Sequence, residues 1–489
     1  MTHTKKITKL VLLAGVIFSL FTSCKKYINL APQDATYDQV FWTTGSNAEN
    51  ALSGAYGLLR KGFESDRSFF TFGDLPTDGF WLDGGYYWNY QSLLKENNFK
   101  YSYAPYLESS LQNWSRFYQV VNQCHLIVEN VPNIDADKFD DGQTEKNEVI
   151  GEGHFLRAYT YFYIIKVWGD PVLTTEALKD PTNVAPLPRT PENEALDFCI
   201  ADLKTAASLL PFYSGSDRDK VHADKGAAWA TLAQVYAWKH DYANAALYCD
   251  SIINSGEYSL EPIDEYTNIW KGGSAESIFE LNMLYDAENN EATDYFFGDF
   301  LRDPLVTGKY NSWEINTDLM DYELFPDPSA DKRYDQITLD VTDARILTKY
   351  ANVDYYDPNN PGAYAVSNNL VLERLADIYL LKAEALNEQG KTAEALAALN
   401  VVKERAGLED FSGTQEDTKY EIVEERRREL IGEGCVAFDL IRTGTLLYFF
   451  PDAYTQERID KKGYYWPLDM RTLLPQDGLL TQNPWWVNH

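Results

Sequence analysis

Apolar and small residues recur every three or four positions from Ala48 onward, where Ala51, Leu52, Ala55, Leu58 and Leu59 mark one face of a helix. The same spacing predicts a helix over Leu111 to Val131 and another over Glu145 to Trp168, which Gly169, Asp170 and Pro171 end. Thr190 and Pro191 read as an N-cap followed by a first-turn proline. Leu196, Cys199, Ile200, Leu203, Ala207 and Leu210 then line one face before Pro211 closes the segment. Two later stretches share one design. Residues 226–255 place Ala233, Tyr236, Asp241, Tyr242, Ala243, Ala245 and Ala246 where residues 376–405 place Ala383, Leu386, Lys391, Thr392, Ala393, Ala395 and Leu396. Each reads as a helix, a short turn and a second helix, with small residues at the crossing, which is the tetratricopeptide pattern.

Elsewhere the helical period fades. Residues 270–371 are rich in Asn, Asp, Gly, Pro and Tyr, with Ser277 to Leu281 as a strand-like piece, and residues 62–106 and 434–489 share that character. The predicted fold is mainly α. It is a tetratricopeptide-like scaffold of four irregular helical pairs, over 46–270 and 372–433, with a loop-rich, aromatic-rich half. Loops longer than about 15 residues inside a compact protein are usually functional.

The first residues differ from all of this. His3, Lys5, Lys6 and Lys9 precede an unbroken apolar and small stretch from Leu10 to Phe21, and Thr22 and Ser23 lead into Cys24. That stretch is shorter than the ~20 residues a membrane-spanning helix needs and has the length of a signal-peptide core. A small residue before a cysteine suits lipoprotein processing. The expectation is a signal peptide over 1–23, lipidation at Cys24, a tether over 24–45 with Pro32, and a single domain over 46–489. Lys25 and Lys26 leave open which side of the membrane the anchor faces.

The formal net charge of −31 argues against nucleic acid as a partner, since phosphates require clustered Lys and Arg. It also disfavours strongly anionic ligands. Cys124, Cys199, Cys249 and Cys435 are far apart and form no CxxC, so they read as free thiols buried in the fold. The aromatic content is 14%, including 34 Tyr and 12 Trp, so either the core is tyrosine-rich or many rings are held out for binding.

Residues 79–90 concentrate this question. Gly84 and Gly85 disfavour a helix, and a loop cannot bury Trp81, Tyr86, Tyr87, Trp88 and Tyr90 together. Flat aromatic faces stack on the C–H faces of sugar rings, while Asp83 or Asn89 would bond hydroxyls. An apolar platform with a few placed polar groups suits a binding site. A second zone holds Tyr285, Tyr295, Phe296, Phe297, Tyr310 and Trp313, and a third the pair Tyr355 and Tyr356.

Signals for catalysis are weak. The six histidines form no HExxH, and there is no GxSxG or Walker loop. Glycosidases hold two carboxyls about 5–10 Å apart, and Asp78 with Asp83 is the pair to test. The Asp-rich turn at 135–141 lacks EF-hand spacing and reads as a solvated loop. No catalytic residue, metal or cofactor is expected. The charged block at 424–429 reads as a buried structural network in which Glu424 and Arg428 pair at i,i+4.

Several blocks, in order, resemble the SusD/RagB lipoproteins of Bacteroidetes outer membranes. They are Gly153 through Ala158 continuing to Trp168-Gly169-Asp170-Pro171, Gly226-Ala227-Ala228, Lys382 through Asn387 with Arg405-Ala406-Gly407, Glu425 through Leu430 with Gly434, Phe438-Asp439-Leu440 and Arg442, Trp466-Pro467-Leu468, and Gln482-Asn483-Pro484. The resemblance implies a SusD-like fold and non-catalytic glycan capture at the cell surface. It further implies delivery of oligosaccharide to a SusC-like TonB-dependent transporter that the protein covers as a lid. It points to Trp81, Asp83, Tyr86, Tyr87, Trp88, Asn89, Tyr285, Tyr295, Phe296 and Trp313 as glycan contacts. A peptide-capturing lid and an anchored glycoside hydrolase are the alternatives.

Overall fold

The computed structural model describes residues 40–77, 79–82, 109–179, 184–216, 218–283, 296–310, 312–342, 344–357, 359–360, 362–475 and 477–488, with backbone alone for 81 and 82. Four antiparallel helical pairs form the scaffold. They are α1 (Gly45–Glu64), which is followed by the short α2 (Ser68–Gly73) and strand β1 (Phe80–Leu82) and packs on α3 (Ser115–Asn130); α4 (Gly142–Trp168) with α5 (Glu192–Leu209); α6 (Lys225–Trp238) with α7 (Tyr242–Ile253); and, after strands β2 to β8 and the short α8, α9 (Leu375–Glu388) with α10 (Thr392–Arg405). Successive pairs stack through α3 on α4, α5 on α6 and α7 on α9, and α11 (Gln415–Leu430) lies across α9 and α10. The four predicted pairs are therefore the observed ones. Among the described residues, no helix is long and apolar enough to cross a membrane.

The helix ends follow local chemistry. Thr44 caps α1 by accepting from the Asn47 amide at 3.2 Å, and Asp224 caps α6 from Ala227 at 2.8 Å. Thr414 and Asp417 form a reciprocal capping box on α11. Helix α5 corrects the expectation at Thr190, because it begins at Glu192 with Pro191 in the cap position. Asp170, on the turn after α4, accepts from the Glu192 amide at 3.0 Å and caps from a distance. Helix α4 is buried on nearly every side from Phe155 to Trp168, so it carries no amphipathic stripe and forms the centre of the scaffold. Residues 62–77 are more regular than their sequence suggests. Phe69, Phe70 and Phe72 are core residues, and their burial holds α2 as a helix.

Among the described residues, the loop-rich part contains four two-stranded antiparallel ribbons. They pair β1 with β3 (Trp313–Ile315), β2 (Ser277–Leu281) with β8 (Leu370–Arg374), β4 (Thr338–Val341) with β5 (Ala344–Leu347), and β6 (Val353–Tyr355) with β7 (Tyr364–Val366). The helix α8 (Arg333–Ile337) precedes β4, and α12 (Val436–Arg442), α13 (Leu446–Phe449) and α14 (Gln456–Asp460) follow α11.

A buried ion network joins the two parts. Glu425 and Glu429 of α11 accept from Arg333 at 2.6 and 2.7 Å, and Asp331 holds the same guanidinium. Arg374, at the end of β8, reaches Glu276 at 2.7 Å, Glu429 at 2.6 Å and Glu433 at 2.7 Å. Lys349 donates to Glu433 at 2.6 Å and to the Glu429 carbonyl at 2.8 Å. Burial pushes Glu429 upward, but Arg405, Arg374 and Arg333 outweigh it and hold the carboxyl well below the usual range. Removing one partner of such a network costs about 3–5 kcal/mol, because a charge is left buried and alone. The expected pair Glu424–Arg428 is not made. Arg428 instead meets Glu421 and Glu425, each at 2.9 Å, and Glu424 takes Arg427 at 3.0 Å. Arg427 also lies over Phe449, 4.5 Å from its ring centre.

The described cysteines are free, with Cys124, Cys199 and Cys249 buried and Cys435 partly so.

Burial raises several carboxyls against the network's trend, among them Asp74, Glu373 and Glu280. Burial raises Glu280, on β2, to about 7, and its second oxygen has no partner. A raised carboxyl stabilises the fold fully below its unfolded value of about 4.5 and loses that contribution as pH rises toward about 7. Glu280→Gln mimics the neutral form. Its stability relative to the wild type, read by urea denaturation, is expected to improve from about pH 4.5 to about pH 7 and then level off. A difference independent of pH contradicts this.

Candidate functional site

The site begins at the β1–β3 ribbon. Phe80 pairs with Ile315, Trp81 with Glu314 and Leu82 with Trp313. Phe80, Trp313 and Ile315 are buried, while Glu314, opposite Trp81 in register, is half-exposed and held by Arg302 at 2.8 Å. The ribbon thus delivers the chain to residue 83 from a rigid base.

That base is a cluster of rings. Phe300 lies 4.8 Å from Phe70, 5.5 Å from Phe80 and 5.3 Å from Trp313. Phe296 packs on Phe70 at 4.8 Å, and Phe297 stacks on Tyr350 at 4.7 Å. Phe80 lies in the first predicted aromatic zone and Phe296 in the second. The stems of both segments are therefore rooted in one cluster. The first segment returns at Ser109, whose hydroxyl donates to Asp469 at 2.9 Å.

Two predicted contacts are corrected. Trp313 is 0% exposed and Phe296 is 4% exposed, so both are rings of the core. Phe297, from the same predicted zone, is also fully buried. Asp83, Tyr86, Tyr87, Trp88, Asn89, Tyr285 and Tyr295 lie outside the described residues, as do Asp78 and Cys24, and Trp81 is described only by its backbone.

Other rings do reach solvent. Tyr310 is 69% exposed, and Tyr356 is 51% exposed beside Tyr355. The Tyr355 hydroxyl accepts from the Thr307 amide at 3.0 Å, which fastens the β6–β7 ribbon to the loop carrying Tyr310. Tyr350 of the ring cluster also packs on Trp270 at 6.3 Å, linking these loops to the ion network through neighbouring Lys349. Tyr322 and Tyr448, both strongly exposed, are further rings that the sequence reading did not single out.

The charged clusters here are structural. Each buried acid of α11 is met by arginine or lysine; burial pushes Glu425 upward, but Arg333, Arg428 and Lys403 outweigh it and hold the carboxyl down to about 2. Among the described residues, no group of three or more His, Cys, Asp or Glu side chains is placed to hold a metal ion. The turn at 135–141 exposes Asp135, Asp137, Asp140 and Asp141 to solvent.

Comparison with known proteins gives a consistent picture. Residues 211–486 match the family model described as the SusD family, and residues 83–237 match one described as starch-binding, associating with the outer membrane. A SusD-like protein, P38, of Formosa agariphila is 26% identical, the alignment covering 98% of each chain. A crystal structure of a SusD superfamily protein from Bacteroides thetaiotaomicron superposes with a TM-score of 0.77 at 25% identity, over 91% of this chain and 99% of that one. A laminarin-binding SusD-like protein superposes with a TM-score of 0.70 at 24% identity, over 90% and 99%.

The two kinds of ring predict different phenotypes. Trp313→Ala is expected to cost about 3–5 kcal/mol of stability, whereas Tyr310→Ala stays within about 0.5 kcal/mol of the wild type. Thermal and denaturant unfolding of the two variants checks this, and equal losses contradict the assignment.

Proposed function

The chain belongs to the SusD family, and we propose that it captures oligosaccharides at the outer membrane and passes them, unaltered, to a SusC-like TonB-dependent transporter. The observation that carries this reading is that Phe80 and Phe296, one from each predicted aromatic zone, share one ring cluster, with Tyr310, Tyr355 and Tyr356 exposed on the adjoining loops. A preformed base lowers the ordering cost of the loops it carries, and planar rings with a few carboxylates and amides suit uncharged sugars. The outer-membrane description of the matched family model and the laminarin-binding structural neighbour support the same class of ligand and place. The net charge of −31 favours neutral glycans over uronate or sulfated chains.

In this reading, residues 1–23 are removed, Cys24 carries the lipid, and residues 24–45 tether the domain 46–489 at the cell surface. Trp81, Asp83, Tyr86, Tyr87, Trp88 and Asn89 supply the main glycan contacts, and Tyr285 and Tyr295 close the site from the second segment. The protein covers its transporter as a lid and carries no catalytic residue.

Affinity electrophoresis against a polysaccharide panel that includes laminarin and starch tests the proposal. At least one polysaccharide is expected to retard the protein, and Trp81→Ala or Trp88→Ala to weaken retention about tenfold. No retardation, with peptide co-purifying instead, overturns it in favour of a peptide lid. New reducing ends in the retained glycan overturn it in favour of a hydrolase.

A further inference from the structure

A second cleft, of about 560 Å3, opens at the other end of the β1–β3 ribbon. The Asn316 amide donates to the Gly79 carbonyl at 3.0 Å, so residue 316 sits beside the start of β1, away from residue 83. One wall is the single π-helical turn Leu319–Leu324, and the other is α13 with the loop through Ala453. Turns of this wide kind recur at functional sites. Here it holds Tyr322 78% exposed while Leu319, Met320 and Leu324 stay buried.

The cleft is built rather than incidental. Arg427, buried beneath it, lies over the Phe449 ring at 4.5 Å, is anchored by Glu424 at 3.0 Å and reaches Glu323 on the opposite wall at 3.4 Å. One side chain therefore fixes the spacing of both walls. The lining combines the rings of Tyr322, Phe449 and Phe450 with the exposed carboxylates of Asp318 and Asp452.

We infer that this cleft is a second saccharide subsite, which takes two or three uncharged sugar rings of the glycan held by the main site. The inference rests on the proposed function. The rings supply stacking faces for the apolar side of a pyranose, and a carboxylate accepts two adjacent hydroxyls at once. Its volume lies in the range of small-ligand sites, about 300–1,000 Å3. Acidic groups on both walls exclude uronate and sulfated sugars. A second point of attachment on the same chain raises retention of a long polysaccharide by effective concentration, with no tighter contact at either point.

Titration calorimetry of the whole mature protein with laminaritriose and maltotriose tests this. The wild type is expected to bind one of these trisaccharides at two sites. Tyr322→Ala and Asp452→Asn change exposed residues, and each is expected to weaken the second site at least about tenfold and leave the first unchanged. Trp88→Ala is expected to do the reverse. A single site that responds to Trp88→Ala but not to Tyr322→Ala or Asp452→Asn overturns the second subsite and keeps the proposed function. Binding of neither trisaccharide, with no retention on any polysaccharide gel, overturns both.

Discussion

The acidic face of α11 cannot be buried without cations, and most of those cations come from the rest of the chain. Arg333 precedes β4, Lys349 follows β5, Arg374 ends β8 and Arg405 ends α10, and all converge on Glu425, Glu429 and Glu433. The loop-rich half is thereby held to the helical scaffold by charges that would be costly to separate. A parallel set, Arg426 with Asp377 and Asp439 and Arg442 with Glu384, ties α11 to α9 and α12. Short ribbons of three to five residues have little stability of their own, so this anchoring gives them a fixed place.

The network also reaches the ring cluster. Lys349 belongs to the charges, and the next residue, Tyr350, belongs to the rings. Its hydroxyl donates to the Gly432 carbonyl at 2.7 Å, just beyond α11, while its ring stacks on Phe297. Two consecutive residues thus couple the helical scaffold to the cluster from which the candidate loops spring. Close backbone contact reinforces this junction, since a Cβ on Gly73 would lie 1.9 Å from the Gly434 carbonyl oxygen.

The scaffold was legible because its helices carry their own signals. Alanines at the crossings, Asp241 as a cap and Gly169 as a stop are local, and they predict α4, α6, α7, α9 and α10 to within a few residues. The cap of α5 was missed because its acceptor, Asp170, acts across a turn. The partners of Arg428 were missed because Glu421, Glu424 and Glu425 all lie within two turns of it along α11, and spacing alone does not choose among them. Among the candidate contacts, composition could not separate Tyr310 from Trp313. Alternation could have done so. Trp313, Glu314 and Ile315 read as a strand with one polar face, which places the tryptophan inside. The exposed Tyr322 had no such cue, because a π-helical turn leaves no period of its own.

Hydrogen–deuterium exchange of the mature protein, with and without a retained polysaccharide, tests most directly whether the loops rooted in the ring cluster hold the glycan. The account predicts that protection appears in peptides spanning residues 79–110, 284–315 and 353–366, while α4, α6 and α9 exchange alike in both states. Protection confined to the helical pairs, with those loops unchanged, would contradict it.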